Sequence, residues 1–490
     1  MKKNIVKVFL VSLFCGTFFS ACDVLDQEFY EGRGAEVVFT NPEDIRLARI
    51  GLYDWMQHQE FLGGRAQMYV DVRSMDTNPS TWFGAISTMS GLTSANAMVT
   101  AAWTTAYQTI GAMNHFIENM ERVTSDILPE AERRQFIAEA RFLRAVTYFY
   151  VLNLWGQKYV ADGTGLGVPL VLRSFDAVSA FLPEEAHIPR ATIAEVYAQI
   201  EKDLREAIPH LLVTHPTAWR TRALATRGAA YAFLSRVYLY QRKWDDVIRV
   251  ANSPYMARFS LDADFRLIFP IGTSAANAPV NSNEVIFFIA HDFGDNPNTN
   301  HALGQHYGRT RRADITISAN YVALLEPEDR RRTILLETNP AGTTFFTTKF
   351  PNGADGWAPV IRYAEVLLNR AEALAQTFVN VGDANFNEAL AIVNQIRARA
   401  GASVIDAASV IPVPTTREEL IDLILEERRR ELAFEGHGSF DLFRNGRGIP
   451  AGRGGAAVPA MPFPNNMFAL PIPHADVSKA PDVLIQNPGF

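Results

Sequence analysis

Apolar residues return every three to four positions in long blocks of this chain, most clearly over Ala101 to Met120, Pro129 to Leu154 and Thr192 to Leu211. That period lays one apolar stripe along an α-helix and predicts a helix in each block. From Thr226, the run TRGAAYAFLSRVYLYQRKWDDVIRVANSPY sets Ala230, Leu234 and Tyr238 on one face. The pattern then restarts after Gln241-Arg242-Lys243 with Trp244, Val247, Ile248 and Ala251. Two helices joined by a tight turn are expected there.

A second pair follows. VIRYAEVLLNRAEALAQ, residues 360–376, turns Ala364, Leu367, Leu368 and Ala371 inward, and ALAIVNQIRARAGA, residues 389–402, supplies its partner. Small residues let antiparallel helices approach closely, and a pair of this kind resembles a tetratricopeptide unit of about 34 residues, without its full consensus. Residues 417–448 read as an amphipathic helix that ends in a Gly-containing turn and continues into a second short element. Between the pairs, at about 253–358 and again at 446–464, the chain is rich in Gly, Pro, Asn and Ala with few periodic runs. These regions predict long structured loops with only short strands, such as Glu284–Ile289 and Thr343–Phe350. The fold class expected is mainly α: a tetratricopeptide-like helical-repeat scaffold with a large irregular, loop-rich region able to carry function.

The first residues have a different logic. Lys2, Lys3 and Lys7 precede an apolar stretch from Val8 to Phe19, then Ser20-Ala21 and Cys22. The stretch is too short for a membrane span, which takes about 20 apolar residues. Its charged, apolar, small order is that of a secretory signal over residues 1–21. Phe-Ser-Ala-Cys resembles a bacterial lipobox, with Phe19 where Leu is more usual. Cys22 would then be acylated, begin the mature chain and hold it to the membrane by lipid. Residues 22–490 read as one domain with an irregular insert at about 253–358. Both cysteines lie in the first 22 residues, so disulfides and thiolate sites are excluded beyond Cys22. In 490 residues, 46 Lys and Arg stand against 53 Asp and Glu, a net charge of −7 that offers no cationic surplus for a nucleic-acid backbone.

Four segments, taken in order, carry a resemblance: ARFLRAVTYFYVLNLWG at 140–156, RYAEVLLNRAEAL at 362–374, REELIDLILEERRRELAFEGHGSFDLFRNGRG at 417–448, and the ending FALPIPHADV followed by LIQNPGF. Together with the lipobox they resemble the SusD/RagB family over roughly residues 22–490. One departure is that Gly438 and Ser439 stand where the family usually has a larger or basic residue and an aromatic. The resemblance implies a SusD-like fold of some eight helices in tetratricopeptide-like pairs. It also implies a surface lipoprotein of Bacteroidetes, anchored to the outer membrane and facing outward, that captures oligosaccharide for a TonB-dependent, SusC-like transporter. Some relatives capture oligopeptides, which is the alternative. Members are generally not catalysts.

Chemical motifs add little to this. Glu427, Glu431 and Glu435 recur at four-residue spacing, and paired carboxylates are what glycoside cleavage requires. With Arg428 and Arg430 close by, an ion-pair lattice holding the last repeat helix to its neighbours, capped or bridged by His437 and Asp441, is the stronger expectation. The ten histidines are scattered without an HExxH arrangement, and GDNPNTN at 294–300 is not an EF-hand loop, so no metal or cofactor is expected. Gly163 to Gly167 reads as a plain loop, since no strand precedes it and Val168-Pro169 follows.

Sugars present CH faces and hydroxyl edges, so a capture site needs an exposed aromatic with polar groups at its rim. YVDVRSMDTNPSTWFGAIS, residues 69–87, offers Trp82 and Phe83 beside Asp76 and Asn78. FGDNPNTNHALGQHYGRTRRAD, residues 293–314, offers Asn300, Tyr307 and Arg309. Trp357 is a third choice, while Trp103, Trp155 and Trp244 read as helix packing. Trp82 is the first residue to test. A hydrolase and a protein-binding scaffold are the readings from other classes.

Overall fold

The computed structural model describes residues 35–158, 163–174, 188–272, 278–453 and 458–490. The signal segment 1–21 and Cys22 lie outside the described residues. Among the described residues, besides shorter turns of helix, ten helices frame the protein: α1 (Pro42–Gln57), α2 (Ala97–Arg122), α3 (Glu130–Trp155), α4 (Ile193–Ala207), α5 (Arg227–Tyr240), α6 (Trp244–Ala251), α7 (Tyr363–Thr377), α8 (Ala384–Ala400), α9 (Arg417–Leu432) and α10 (Gly438–Arg444). The periodic blocks are helical, and side chains that satisfy orphan amides fix several starts. Asn96 accepts from the Val99 N–H, and capping boxes open α4 (Thr192 with Glu195) and α9 (Thr416 with Glu419). Gly401, at φ 75°, ends α8 in the left-handed conformation a glycine adopts without strain.

Neighbouring helices pack in succession: α2 on α3, α3 on α4, α5 on α6, and α7 on α8 and α9. This is the tetratricopeptide-like arrangement expected. α3 lies between α2 and α4 and is buried on nearly every side from Phe136 onward. Its Phe149 ring meets Phe233 of α5 edge-on at 5.3 Å and Tyr240 at 4.9 Å, which ties two helical pairs together. A second apolar core, including Leu368, Leu374, Phe386, Ile396, Leu420 and Ile424, joins α7, α8 and α9.

Among the described residues, six short strands form three two-stranded antiparallel sheets: β1 (Leu166–Pro169) with β2 (Arg190–Thr192), β3 (Val285–Ile289) with β6 (Ala358–Arg362), and β4 (Leu336–Thr338) with β5 (Phe345–Thr347). Two of them correct the sequence reading. Leu166 and Gly167, expected in a loop, form part of β1. Val360 to Arg362, expected to begin a helix, belong to β6, where all five residues are buried. Pairing with β3 puts the β-branched Val360 and Ile361 in a buried sheet, and this outweighs the helical period, so α7 begins only at Tyr363. Trp357 is buried with Phe265, Ile268, Phe269 and Phe288 in a small core of the irregular region, which removes it as an exposed platform.

An interior ionic lattice fastens that region to the helices. Arg331 donates to Glu427 at 2.8 Å and Glu431 at 3.1 Å, Arg362 to Glu431 at 2.6 Å and Glu435 at 2.8 Å, and Lys349 to Glu435 at 2.6 Å. Arg397 and Arg399 reach Glu427 and Glu431 from α8. Burial by itself would raise the Glu435 carboxyl, but Arg362 and Lys349 reverse this and hold it down at about 2. Gly438 fits one tight approach, because a Cβ there would lie 2.4 Å from the Ser74 Cβ.

Candidate functional site

Trp82 sits in a turn just before the short helix Gly84–Thr88 and keeps 38% of its surface exposed. Its loop is pinned to residues 314–318: Asn78 donates to the Thr316 Oγ1 at 2.7 Å, Ser318 N–H to the Asp76 carbonyl at 2.9 Å, and Thr77 bridges Ile317. Residues far apart in sequence therefore meet at the indole. The Arg312 guanidinium lies 4.1 Å from its ring centroid, close enough for a cation–π contact. Arg312 also donates to Asp314 at 2.7 Å and, through Nη1, to the Asn300 side-chain oxygen at 2.8 Å.

Beneath this surface His306 forms the support. Its ring is 6.2 Å from Trp82 and 5.2 Å from Phe83, and its Nε2 is 2.8 Å from the Asn300 carbonyl. Burial lowers its pKa to about 4, against the pull of the Asn300 carbonyl and the Asp314 carboxylate. The result is an exposed indole with a guanidinium over it that is itself bonded to a primary amide. Such a surface can stack on a sugar ring and hydrogen-bond its hydroxyls.

Arg312 links Trp82 to Asn300, and the structure withdraws most other residues that the sequence had singled out. Phe83 is 2% exposed and packs on Tyr69 and His306, so its ring offers no free face. Tyr307 is buried, and its hydroxyl donates to Asp71 at 3.0 Å. Asp76 is buried against Arg429, and the Asn78 amide is spent on Thr316. Arg309 pairs with Glu337 at 2.7 Å and lines a cavity that does not include Trp82. Sequence reasoning missed Arg312 and the supporting role of His306. RTRRAD holds three arginines with nothing local to say which reaches an indole 230 positions away.

Among the described residues, two sizeable cavities lie elsewhere. The larger, about 890 Å³, is walled by Ile411, Pro412, Leu423, Ile449 and Met461, with Asp422, Glu426 and Arg429 among its polar groups. It has no aromatic lining and so no flat face for a pyranose. The smaller, about 290 Å³, is bordered by Phe265, Phe269, Phe350, Arg309, Arg311 and Glu337. Glu427, Glu431 and Glu435 are buried in the ionic lattice, where each faces cations rather than a cleft. Among the described residues no group of three His, Cys, Asp or Glu side chains is placed to hold a metal ion. The 294–300 loop is tied by its own hydrogen bonds, with Asp292 accepting from Gly294 and Asp295. No described helix is long and apolar enough to cross a membrane.

Paired helices bearing an irregular region with an exposed aromatic define a helical-repeat scaffold with a surface platform. Comparison with known proteins identifies the family. A model described as "Starch-binding associating with outer membrane" matches residues 25–239, and one described as "SusD family" matches residues 343–490. SusD-like protein P2 of Formosa agariphila is 25% identical, over 93% of this chain and 94% of its own length. A crystal structure of a putative sugar binding protein from Bacteroides vulgatus shares the fold with a TM-score of 0.77 and 23% identity, covering 92% of this chain and 99% of that one. A laminarin binding SusD-like protein superposes with a TM-score of 0.71 and 21% identity, covering 92% of this chain and all of that one. The chain belongs to the SusD/RagB family of Bacteroidetes nutrient-uptake proteins associated with the outer membrane.

Proposed function

We propose that this protein is a non-catalytic capture protein that binds oligosaccharide on the Trp82 platform and passes it to a partner TonB-dependent, SusC-like transporter. The observation that carries the reading is an exposed indole bordered by Arg312 and the Asn300 amide, in a fold whose relatives include a laminarin-binding protein. Residues 1–21 act as a signal in this reading, and lipid on Cys22 holds the mature chain, 22–490, to the outer face of the outer membrane. Trp82 stacks on the sugar, while Asn300 and Arg312 bond its hydroxyls. Phe83, Asp76 and Asn78 hold the loop in shape, and Tyr307 and Arg309 take structural parts.

The test is calorimetric binding of the purified mature chain to a panel of β-glucan, plant, host and microbial oligosaccharides, with mixed peptides alongside and product analysis for turnover. Saturable binding of a glycan without cleavage supports the reading, and co-purification of a TonB-dependent transporter from outer membranes supports the delivery step. Peptide-only binding would transfer the protein to oligopeptide capture, and release of cleaved glycan would overturn the non-catalytic assignment.

A further inference from the structure

The smaller cavity, of about 290 Å³, reverses the charge balance of the chain around it. Over the whole sequence acidic residues outnumber basic ones by 53 to 46, yet the charged side chains lining this cavity are Arg266, Arg309, Arg311 and Glu337. Two of the arginines are already paired: Arg309 Nε donates to Glu337 at 2.7 Å, and Arg266 Nε to Asp264 at 3.0 Å. Arg311 is left over. Among the described residues its side chain forms no ion pair and no hydrogen bond.

Arg311 is exposed, yet it is packed against backbone. Its guanidinium lies over Gly353, where a Cβ would stand 2.8 Å from Cζ and 2.9 Å from Nη1. Its stem passes Gly308, where a Cβ would stand 3.2 Å from Cγ. Gly353 is at φ 70°, in the left-handed region that favours glycine. Two glycines thus make the seat of one arginine. Seating a long side chain costs conformational entropy, and no acceptor among the described residues offsets it. The arrangement is that of a preorganised donor, ordered before a ligand arrives.

The rest of the cavity sets the size and chemistry of that ligand. Phe265, Phe269 and Phe350 supply apolar wall, and all three are buried, so they form a floor and not a stacking platform like Trp82. The volume is near the lower limit of small-molecule clefts, about 300 Å³, and gives room for about one sugar unit. One cation in excess matches one anionic group. We propose that this cavity is a subsite for an acidic sugar unit, whose carboxylate or sulfate ester is bonded by Arg311 while its C–H surface lies against the phenylalanine floor. Arg312, one peptide along the chain, covers Trp82, which places the subsite beside the platform. The sugar in this assignment rests on the glycan-capture reading; the anion site at Arg311 does not.

The test is calorimetric titration of the purified mature chain with matched pairs of oligosaccharides. Galacturonate and mannuronate oligomers are set beside their carboxyl-reduced forms, and sulfated galactan and fucan oligomers beside their desulfated forms. The expected result is an acidic member bound about tenfold tighter than its neutral partner, an advantage that shrinks as salt rises. Preference within the uronate pairs assigns a carboxylate, and preference within the sulfated pairs a sulfate ester. Arg311→Met should bring the acidic member to the affinity of its neutral partner, and Arg311→Lys should keep part of the advantage. Trp82→Ala should weaken both members and leave their ratio. Equal affinities within every pair would overturn the proposal. So would a preference that survives Arg311→Met, and one lost only in Arg312→Met would place the anion on the platform instead. Selenate anomalous diffraction from crystals of the unaltered protein reads the anion without a sugar, and a peak within hydrogen-bond reach of Arg311 is expected. That peak together with equal affinities in every pair would mean an inorganic-anion site only and overturn the sugar assignment. Failure of every glycan to bind, acidic or neutral, removes the capture reading and the sugar with it, while absence of the selenate peak removes the anion site itself.

Discussion

At α9, arginines face carboxylates in the interior; at the platform, Arg312 lies across an indole at the surface. In the first region Glu431 is fully buried and is reached by Arg331, Arg362 and Arg399 at once. In the second, Trp82 stays 38% exposed and Arg312 divides its donors between Asp314 and Asn300. The difference teaches where each kind of energy is available. A charge sealed from water is costly to leave alone, so breaking one lattice partner exposes the rest to that cost. An exposed aromatic gains little from folding and keeps its surface for a ligand. Stability and binding are thus carried by different residues, and substitutions should separate them.

The largest effect is expected inside the lattice. Glu431→Ala removes the shared partner of three cations and should lower unfolding free energy by about 3–5 kcal/mol, read by urea denaturation. Any chain that does fold should keep its glycan affinity. Trp82→Ala should do the reverse, weakening glycan binding by about 2 kcal/mol, roughly 30-fold in Kd by calorimetry, with the melting temperature unchanged. Equal losses of stability and affinity in either variant would dissolve the contrast.

Acid sharpens it. The folded Glu435 carboxyl is held at about 2 against an ordinary 4.5, so its contribution is complete above about pH 4.5 and is lost as pH falls toward 2. Burial first, against the pull of Glu365, lowers His437 to about 4 from 6.5, so stability also declines from about pH 6.5 down to 4 as the unfolded chain takes up that proton. Urea midpoints measured from pH 7 to 3 should fall throughout, and Glu435→Gln should flatten the lower half.

Smaller changes are expected at the platform's edge. Arg312→Met removes a donor to the sugar hydroxyls, about 0.5–1.5 kcal/mol, and should weaken glycan binding about two- to tenfold. Arg309→Gln breaks a half-exposed pair with Glu337, so stability should move by less than about 1 kcal/mol and calorimetric affinity by no more than about twofold.

The helices were legible because their evidence is local: an apolar stripe of period 3.6, a capping Thr three residues before a Glu, a Gly at the end. The family was legible for the same reason, since its segments are contiguous. β6 was misread, because Val360 and Ile361 satisfy the period of a helix as well as that of a strand. Only the presence of β3, some seventy residues earlier, selects the strand. At the platform, Trp82 was legible as a large aromatic in a stretch without helical period. Phe83, one position away, was indistinguishable from it until packing on Tyr69 and His306 buried its ring.

The sequence by itself determined the helical scaffold, the membership in the SusD/RagB family and the carboxylate spacing of α9, all of which rest on patterns within a few turns of chain. Tertiary structure alone decided which arginine covers Trp82, which aromatics keep a free face, and which buried cations have a carboxylate partner. Those outcomes depend on contacts between residues hundreds of positions apart, and burial, unlike periodicity, belongs to the folded molecule and not to any segment of it.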